Sequence, residues 1–374
     1  MVRNILAALA LGAALGAAAE TGVTDSQIVL GQSAVFTGPA QDLGIEMRAG
    51  ALAYFNYVNA QGGVNGRRIV LKSLDDRYEP DNAAAATKQL INEDKVFALF
   101  GYVGTPTFNA AKPIIVESRV PLVAAFTGAE SLRDPVIRYV FNVRASYYDE
   151  TEQIVQHLTS MGIDKIAVFY QNDAYGKAGL EGVNRALKKR NMQVTGLATV
   201  ERNTVEVNKA VQDMAKVQPQ AIVMISAYKS CAAFIKAMKR AGMSPSFWNV
   251  SFVGSKALAK ELEGDGRGVQ ISQVVPFPWD ESIPVVREYT RLLKADGKSE
   301  PNYSSLEGFI SAKVMVEGIR RAGKNLTRDN LIRALETMEP YDVGGFKIYY
   351  SPEDHRGSRY VDLTIISKDQ KFVR

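Results

Sequence analysis

The sequence predicts an α/β protein of two similar lobes built on parallel sheets. Three observations carry this reading. β-rich runs alternate with helix-period runs along most of the chain. The alternation comes as two successive series, and extended stretches that belong to no βα unit separate and follow them. A chain of 374 residues leaves room for two or three domains at roughly 100–200 residues each. With 46% hydrophobic and 23% charged residues, it is neither disordered nor collagen-like in composition. The net charge of +5 (45 − 40) is dispersed without a run of five or six like charges, which argues against a nucleic-acid partner. Cys231 is the single cysteine, and His157 and His355 are the only histidines. No internal disulfide, cysteine zinc site or histidine-rich metal site is therefore expected, and no cofactor.

Residues 1–19 read as an export signal. Arg3 makes the start positive, 5–15 are apolar, and Ala17, Ala18 and Ala19 offer a small-residue cleavage site. About eleven apolar residues fall short of the ~20 that a bilayer span needs. Cleavage after Ala19 leaves 374 − 19 = 355 residues and, without Arg3, a net charge of 44 − 40 = +4. No cysteine follows the cleavage site, so a lipid anchor is not expected.

The first series opens with a strand at 27–32 and the loop Thr37-Gly38-Pro39. The next helix carries Leu43, Met47, Ala51, Tyr54 or Phe55, and Val58 on one face. Gly62-Gly63 ends that helix, and Asn65-Gly66 turns into a strand at 68–74. A helix at 82–93, a strand at 96–101, a helix from Pro106 and a strand at 121–126 follow. The second series places strands at 165–170, 193–198 and 221–225, with helices at 179–190, 205–216 and 229–241 and a short apolar run at 247–250. The stretches 138–148 and 268–279 are extended, as expected of a chain that leaves one lobe, builds a second and returns. One large sheet with an irregular insertion is the alternative. Helices at 284–295, 304–322 and 327–338 and strands at 346–350 and 360–366 complete the chain.

Ligands of open α/β sheets bind beyond the carboxyl ends of the strands. Five such loops are candidates. Tyr102, Gly104 and Thr105 precede Pro106, where Thr105 as a hydroxyl N-cap and the proline after it mark a helix start whose free N–H groups suit a carboxylate. Ala125, Phe126 and Thr127 end the 121–126 strand, and Tyr175 projects from the loop after 165–170. Ser226, Ala227 and Tyr228 follow the 221–225 strand, and Ser251 and Phe252 follow 247–250. These side chains offer neutral hydrogen bonds rather than strong acids or bases. Enzyme motifs are missing: there is no G-x-S-x-G elbow and no phosphate-cradling P-loop. Gly264 to Gly268 reads as a turn, His157 as a surface or packing residue mid-helix, and His355 as a solvated hairpin turn. The adjacent pair Asp75-Asp76 does not by itself point at a substrate.

These stretches resemble the periplasmic type I substrate-binding proteins of ABC transporters, in the leucine/isoleucine/valine-binding group. The likeness runs from Gln27 to the C-terminus. It rests on Phe36-Thr37-Gly38-Pro39, the run Gln61-Gly62-Gly63-Val64-Asn65-Gly66, Asp75-Asp76, Tyr175-Gly176, Ala241-Gly242 and the late hairpin at 346–357. The resemblance implies two Rossmann-like lobes joined by three hinge crossings, lobe 1 being 20–142 plus 275–344 and lobe 2 being 143–274 plus 345–374. It implies that Thr105 receives a ligand carboxylate, that 125–128 form a second loop in the same lobe, and that Tyr175 meets the ligand from the other lobe. Selectivity would fall at Gln41 to Leu43. Two departures stand out. Ser251 takes the place of the acidic partner of an ammonium group, and a second ligand tyrosine falls at Ala227, beside Tyr228. Tyr78 and Gly104 stand where leucine-binding relatives have paired cysteines. The expected ligand therefore keeps a carboxylate or amide but need not be an α-amino acid.

The expected function is capture of a small molecule in the periplasm by a monomer and its delivery to an ABC permease in the inner membrane, without catalysis. A periplasmic sensor module serving a membrane signalling partner is the alternative.

Overall fold

A computed structural model describes residues 20–296 and 300–374; the expected leader at 1–19 lies outside them. The first lobe is built on β1 (Gln27–Ala34), β2 (Arg68–Asp75), β3 (Ala98–Phe100), β4 (Leu122–Val123) and β5 (Val140–Phe141). They form one parallel sheet in the order β2-β1-β3-β4-β5, with β1 paired to β2 from Gln27↔Arg68 to Ala34↔Asp75. β1 is interior and buried at every position but its first, whereas the edge strand β2 alternates toward solvent, as an edge permits. Helices α1 (Gln41–Ala60), α2 (Pro80–Asn92) and α3 (Thr105–Ser118) make the connections. The expected strand at 121–126 shortens to two residues because Ala124 turns into the left-handed region at φ 62°.

The second lobe repeats this plan. After α4 (Tyr147–Ser160) come β6 (Ile166–Gln171), α5 (Ala174–Lys188), β7 (Leu197–Val200), α6 (Asn208–Val217) and β8 (Ala221–Ile225). Then follow α7 (Tyr228–Arg240), β9 (Ser246–Asn249), α8 (Ser255–Leu262) and β10 (Gln270–Gln273). The parallel core β7-β6-β8-β9-β10 has the same strand order as the first sheet, so the two lobes reverse direction at equivalent places, between β1 and β3 and between β6 and β8.

The chain then returns through α9 (Pro284–Asp296), α10 (Tyr303–Ala322) and α11 (Arg328–Glu336) to β11 (Tyr341–Asp342), β12 (Lys347–Ser351) and β13 (Asp354–Gly357). It ends in β14 (Asp362–Ile366), antiparallel to β10 at the edge of the second sheet, and β15 (Phe372–Val373), antiparallel to β14. Two lobes with three crossings result. The third boundary differs from the expected 344/345. Asn142 donates its N–H to the His355 carbonyl at 2.9 Å, tying β13 to β5, so the chain leaves the first lobe only at 358–361. His355 is likewise no solvated turn residue. It is 2% exposed, stacks on Phe141 with ring centroids 3.9 Å apart, and places Nδ1 3.0 Å from the Val140 carbonyl.

Helices α1 and α10 pack with their backbones nearly touching. A Cβ added at Gly50 would lie 1.7 Å from the Ser305 carbonyl oxygen, and one at Gly308 would lie 2.0 Å from that of Met47. Among the described residues no helix is long and apolar enough to cross a membrane. The close approach yields an expectation: Gly50→Ala destabilises the protein by about 1–3 kcal/mol through overpacking, read as a lower urea midpoint with unchanged slope. An unchanged midpoint would show that the helices can separate freely.

Candidate functional site

The carboxyl ends of the two parallel sheets face each other, and the loops beyond them meet in a buried seam. On the first lobe, the turn before α3 lies against the loop after β4: Gly104 N–H donates to the Phe126 carbonyl at 3.2 Å, and Phe126 N–H to that of Tyr102 at 2.6 Å. Gly104 has φ 100°, and a Cβ there would sit 2.3 Å from Tyr78 Cε2, so both backbone and space demand glycine. Gly104, not Thr105, is the N-cap of α3, because Thr105 already lies in its first turn, and the helix starts without a side-chain cap. Thr105 Oγ1 lies 2.6 Å from Thr127 Oγ1, which lies 3.2 Å from the Tyr147 hydroxyl. Asp75 organises the neighbouring loop rather than facing the seam, accepting from Phe36 N–H at 2.8 Å and the Thr37 hydroxyl at 2.5 Å.

Tyr175 belongs to the first turn of α5, not to a loop. The Asp173 side chain caps the helix by accepting from Tyr175 N–H at 2.9 Å and Gly176 N–H at 3.4 Å. The Tyr175 ring lies 5.3 Å from Tyr147 and 4.6 Å from Phe252; Phe252 lies 5.5 Å from Phe126 and 6.0 Å from Tyr78. Thr105 and Tyr175 are thus joined through Thr127 and Tyr147, and Phe252 closes an aromatic cluster drawn from both lobes. Burial pushes the Tyr147 phenol up to about 12 and that of Tyr175 well above its ordinary value, so both remain neutral hydrogen-bond donors.

Polar contacts rim this cluster. Asp42 N–H donates to the Tyr228 hydroxyl at 3.4 Å, and Gln171 Nε2 donates to the Tyr78 hydroxyl at 3.3 Å. Arg202 spans the lobes from Asp173 (3.1 Å) to Glu79 (2.8 Å). Leu43 is buried against Gly254 of the opposite lobe, Gln41 is half-buried at the start of α1, and Ala227 is the residue before α7. Tyr102 is not brought to the seam. Its hydroxyl lies 3.0 Å from Thr87 Oγ1 of α2, inside the first lobe. The buried polar atoms without a protein partner include the Tyr175 hydroxyl, Ser226 Oγ, and Arg144 Nε and Nη1. Each such group costs about 1–3 kcal/mol when left unpaired.

Ser251 belongs to an ion cluster that residue patterns did not reveal. Its N–H donates to Glu150 Oε2 at 2.7 Å and its hydroxyl to Glu150 Oε1 at 3.0 Å, while the Ser272 hydroxyl donates to Oε2 at 2.6 Å. Arg144 Nη2 contacts Ser251 Oγ and lies 3.4 Å from Glu150 Oε1; Nη1 lies 3.6 Å from Glu307 Oε1. The guanidinium also sits 4.9 Å above the Phe126 ring centroid. Serine at 251 therefore does not leave the region without an acid, because Glu150 and Glu307 bring two. Burial alone would lower the Arg144 guanidinium, but Glu307 and then Glu150 outweigh it and raise it. Glu307 is pushed up to about 7 by burial, against the pull of Arg144 and with Glu150 adding to the rise. The visible signal for these residues was a charged pair, Arg144 and Glu150, within and just after an apolar crossing segment.

Beside this cluster Phe126, Ser251, Gln273, Tyr303 and Glu307 line a narrow slit, nowhere wide enough for a water molecule. Among the described residues no group of three or more His, Cys, Asp or Glu is placed to hold a metal. Removing one partner of the ion cluster has a definite consequence. Glu150→Ala leaves Arg144 and two serine donors short of their acceptor and is expected to cost about 3–5 kcal/mol. Arg202→Ala, on the part-exposed rim, is expected to cost only about 0–1 kcal/mol. Denaturant midpoints of the two variants check this, and equal losses would contradict it.

Known proteins share this architecture. The family model described as "Periplasmic binding protein" matches residues 11–371. A crystal structure of a possible leucine/isoleucine/valine-binding protein from Rhodopirellula baltica SH 1 superposes with a TM-score of 0.90 at 32% identity, covering 96% of this chain and 98% of that one. The Leu/Ile/Val-binding protein homolog 7 of Brucella suis biovar 1 is 24% identical, covering 94% of this chain and 92% of its own. A fatty acid ABC transporter substrate-binding protein from Thermomonospora curvata shares the fold at a TM-score of 0.86 and 22% identity, covering 94% of this chain and 91% of that one. Proteins of this kind bind solutes for transport and are not enzymes. The chain belongs to the periplasmic binding protein family.

Proposed function

We propose that this protein captures a small carboxylate or amide between its lobes by hinge closure and delivers it to an ABC permease in the inner membrane. The observation that carries the reading is the hydroxyl chain Thr105–Thr127–Tyr147 beside the uncapped start of α3, opposed across the seam by the unpartnered Tyr175 hydroxyl and Ser226 Oγ. Uncapped helix N–H groups and neutral hydroxyls solvate a carboxylate without a fixed counter-charge. The aromatic faces of Phe126 and Phe252 suit an apolar tail, and Leu43 and Gln41 at the start of α1 supply selectivity. Gly104 and Ala125 contribute backbone and little bulk; Ala227, Tyr228 and Ser251 complete the opposite wall.

The relatives' names fit this chemistry. Leucine, isoleucine, valine and a fatty acid are all carboxylates carrying aliphatic chains. Branched-chain and other amino acids, aliphatic and aromatic acids and short amides are therefore the compounds to screen. Closure is biased by contacts that form only when the lobes meet. A micromolar ligand needs about 8 kcal/mol of net binding free energy, within reach of several buried hydrogen bonds and a desolvated tail.

A thermal-shift screen of these compounds followed by calorimetric titration tests the proposal. At least one acid or amide is expected to raise the melting temperature and bind stoichiometrically. Thr105→Val should weaken that binding by about tenfold or more, equivalent to about 1.4 kcal/mol. Undiminished affinity in that variant would remove Thr105 from the site.

A further inference from the structure

The ion cluster lies where the lobes join, and its parts come from different sides. Glu307 belongs to α10 of the first lobe, Arg144 to the first crossing, and Glu150, Ser251 and Ser272 to the second lobe. The two carboxylates are unequally served. Glu150 is reached by Arg144, the Ser251 N–H and hydroxyl, and the Ser272 hydroxyl, which fills its acceptor capacity. Glu307 approaches Arg144 only at 3.6 Å, beyond hydrogen-bond length. It is 4% exposed. One guanidinium cannot neutralise two buried carboxylates, so the less well served one carries an uncompensated charge when ionised.

Among the described residues no other charged group forms an ion pair with Glu307, although the buried Arg133 guanidinium also pulls it down. Arg133 directs its guanidinium to the carbonyls of Ala129, Thr127 and Arg144. On α1, Glu46 meets Asn302 and Lys256; on α9, Glu288 meets Lys313; on α8, Lys256 meets Glu46 and Glu300. On α11, Arg328 donates to the Phe97 and Val96 carbonyls. Tyr303, the slit's phenol, is kept neutral by burial.

We propose that Arg144, Glu150 and Glu307 form a proton-linked latch across the hinge: bringing the lobes together places one proton from solvent on Glu307, so acid favours the closed arrangement. The latch rests on the hinge reading above but on no particular ligand. The sign follows from linkage. Burial where the lobes meet pushes Glu307 up to about 7 from its ordinary value of 4.5, against the pull of Arg144 and Arg133. A group whose affinity for protons rises on closure stabilises the closed arrangement at low pH. That contribution is lost as pH rises through about 7. Between pH 6 and pH 8 the ratio of closed to open molecules is expected to fall by about tenfold.

Two measurements on the intact, ligand-free protein test this. In protein labelled with ¹³C at the glutamate carboxyls, one glutamate is expected to titrate near pH 7, and that signal should be missing from Glu307→Gln. With spin labels at Lys88→Cys on α2 and Lys188→Cys on α5, the distance distribution should shift toward the shorter separation at pH 6 relative to pH 8. Glu307→Gln should hold the pH 6 distribution throughout. A wild-type spectrum with no glutamate titrating between pH 6 and 8 overturns the latch without any variant. An equal pH response in Glu307→Gln also overturns it. Distances that respond to a bound acid but not to pH overturn the latch and leave solute capture standing. Distances that respond to neither overturn both.

Discussion

Strand polarity is the constraint on which the rest of the molecule depends. A parallel sheet gathers the carboxyl ends of all its strands on one edge, together with the N-termini of the helices that follow. Here two such sheets with the same strand order point those edges at each other, because the chain crosses between lobes after β5, after β10 and after β13. Thr105 and Thr127 on one side, and Tyr175, Ser226 and Phe252 on the other, become neighbours through topology rather than through proximity in sequence.

The seam combines two kinds of interaction with different consequences. The aromatic cluster of Tyr78, Phe126, Tyr147, Tyr175 and Phe252 buries large surfaces and is tolerant of small displacements. The cluster around Glu150 is directional and intolerant, since a buried carboxylate needs each of its donors. Placing the directional interactions at the crossings and the adaptable ones at the cleft lets a hinge keep its axis while its mouth changes contents.

Much of the fold was legible because alternation of β-rich and helix-period runs survives in a two-sided parallel sheet. Boundaries were less so. Ala124 ends β4 early by a backbone turn that alanine does not advertise, and Asp173 starts α5 five residues before the apolar periodicity does. The strand ends that Thr105, Thr127, Tyr175 and Phe252 follow could be read from the sequence, and the structure brings these residues together. Tyr102 could not be separated from them, since the face its ring takes is decided by Thr87 of another helix. Arg144, Tyr147 and Glu150 stand within six residues of one another in the first crossing and the start of α4, but what they meet, Thr127, Ser251 and Glu307, lies far off in sequence, so they were missed. His355 was misread for the same reason: a polar hairpin sequence is buried by its contact with β5.

The central claim is that two hinged lobes enclose a solute at the facing ends of their sheets. Small-angle X-ray scattering of the purified protein, with and without the tightest-binding acid or amide found by thermal shift, tests it most directly. The account predicts a smaller radius of gyration in the bound sample and a scattering profile that matches the structure with its lobes meeting in the seam. Stoichiometric binding with an unchanged radius and profile, matching that structure both with and without solute, would contradict it.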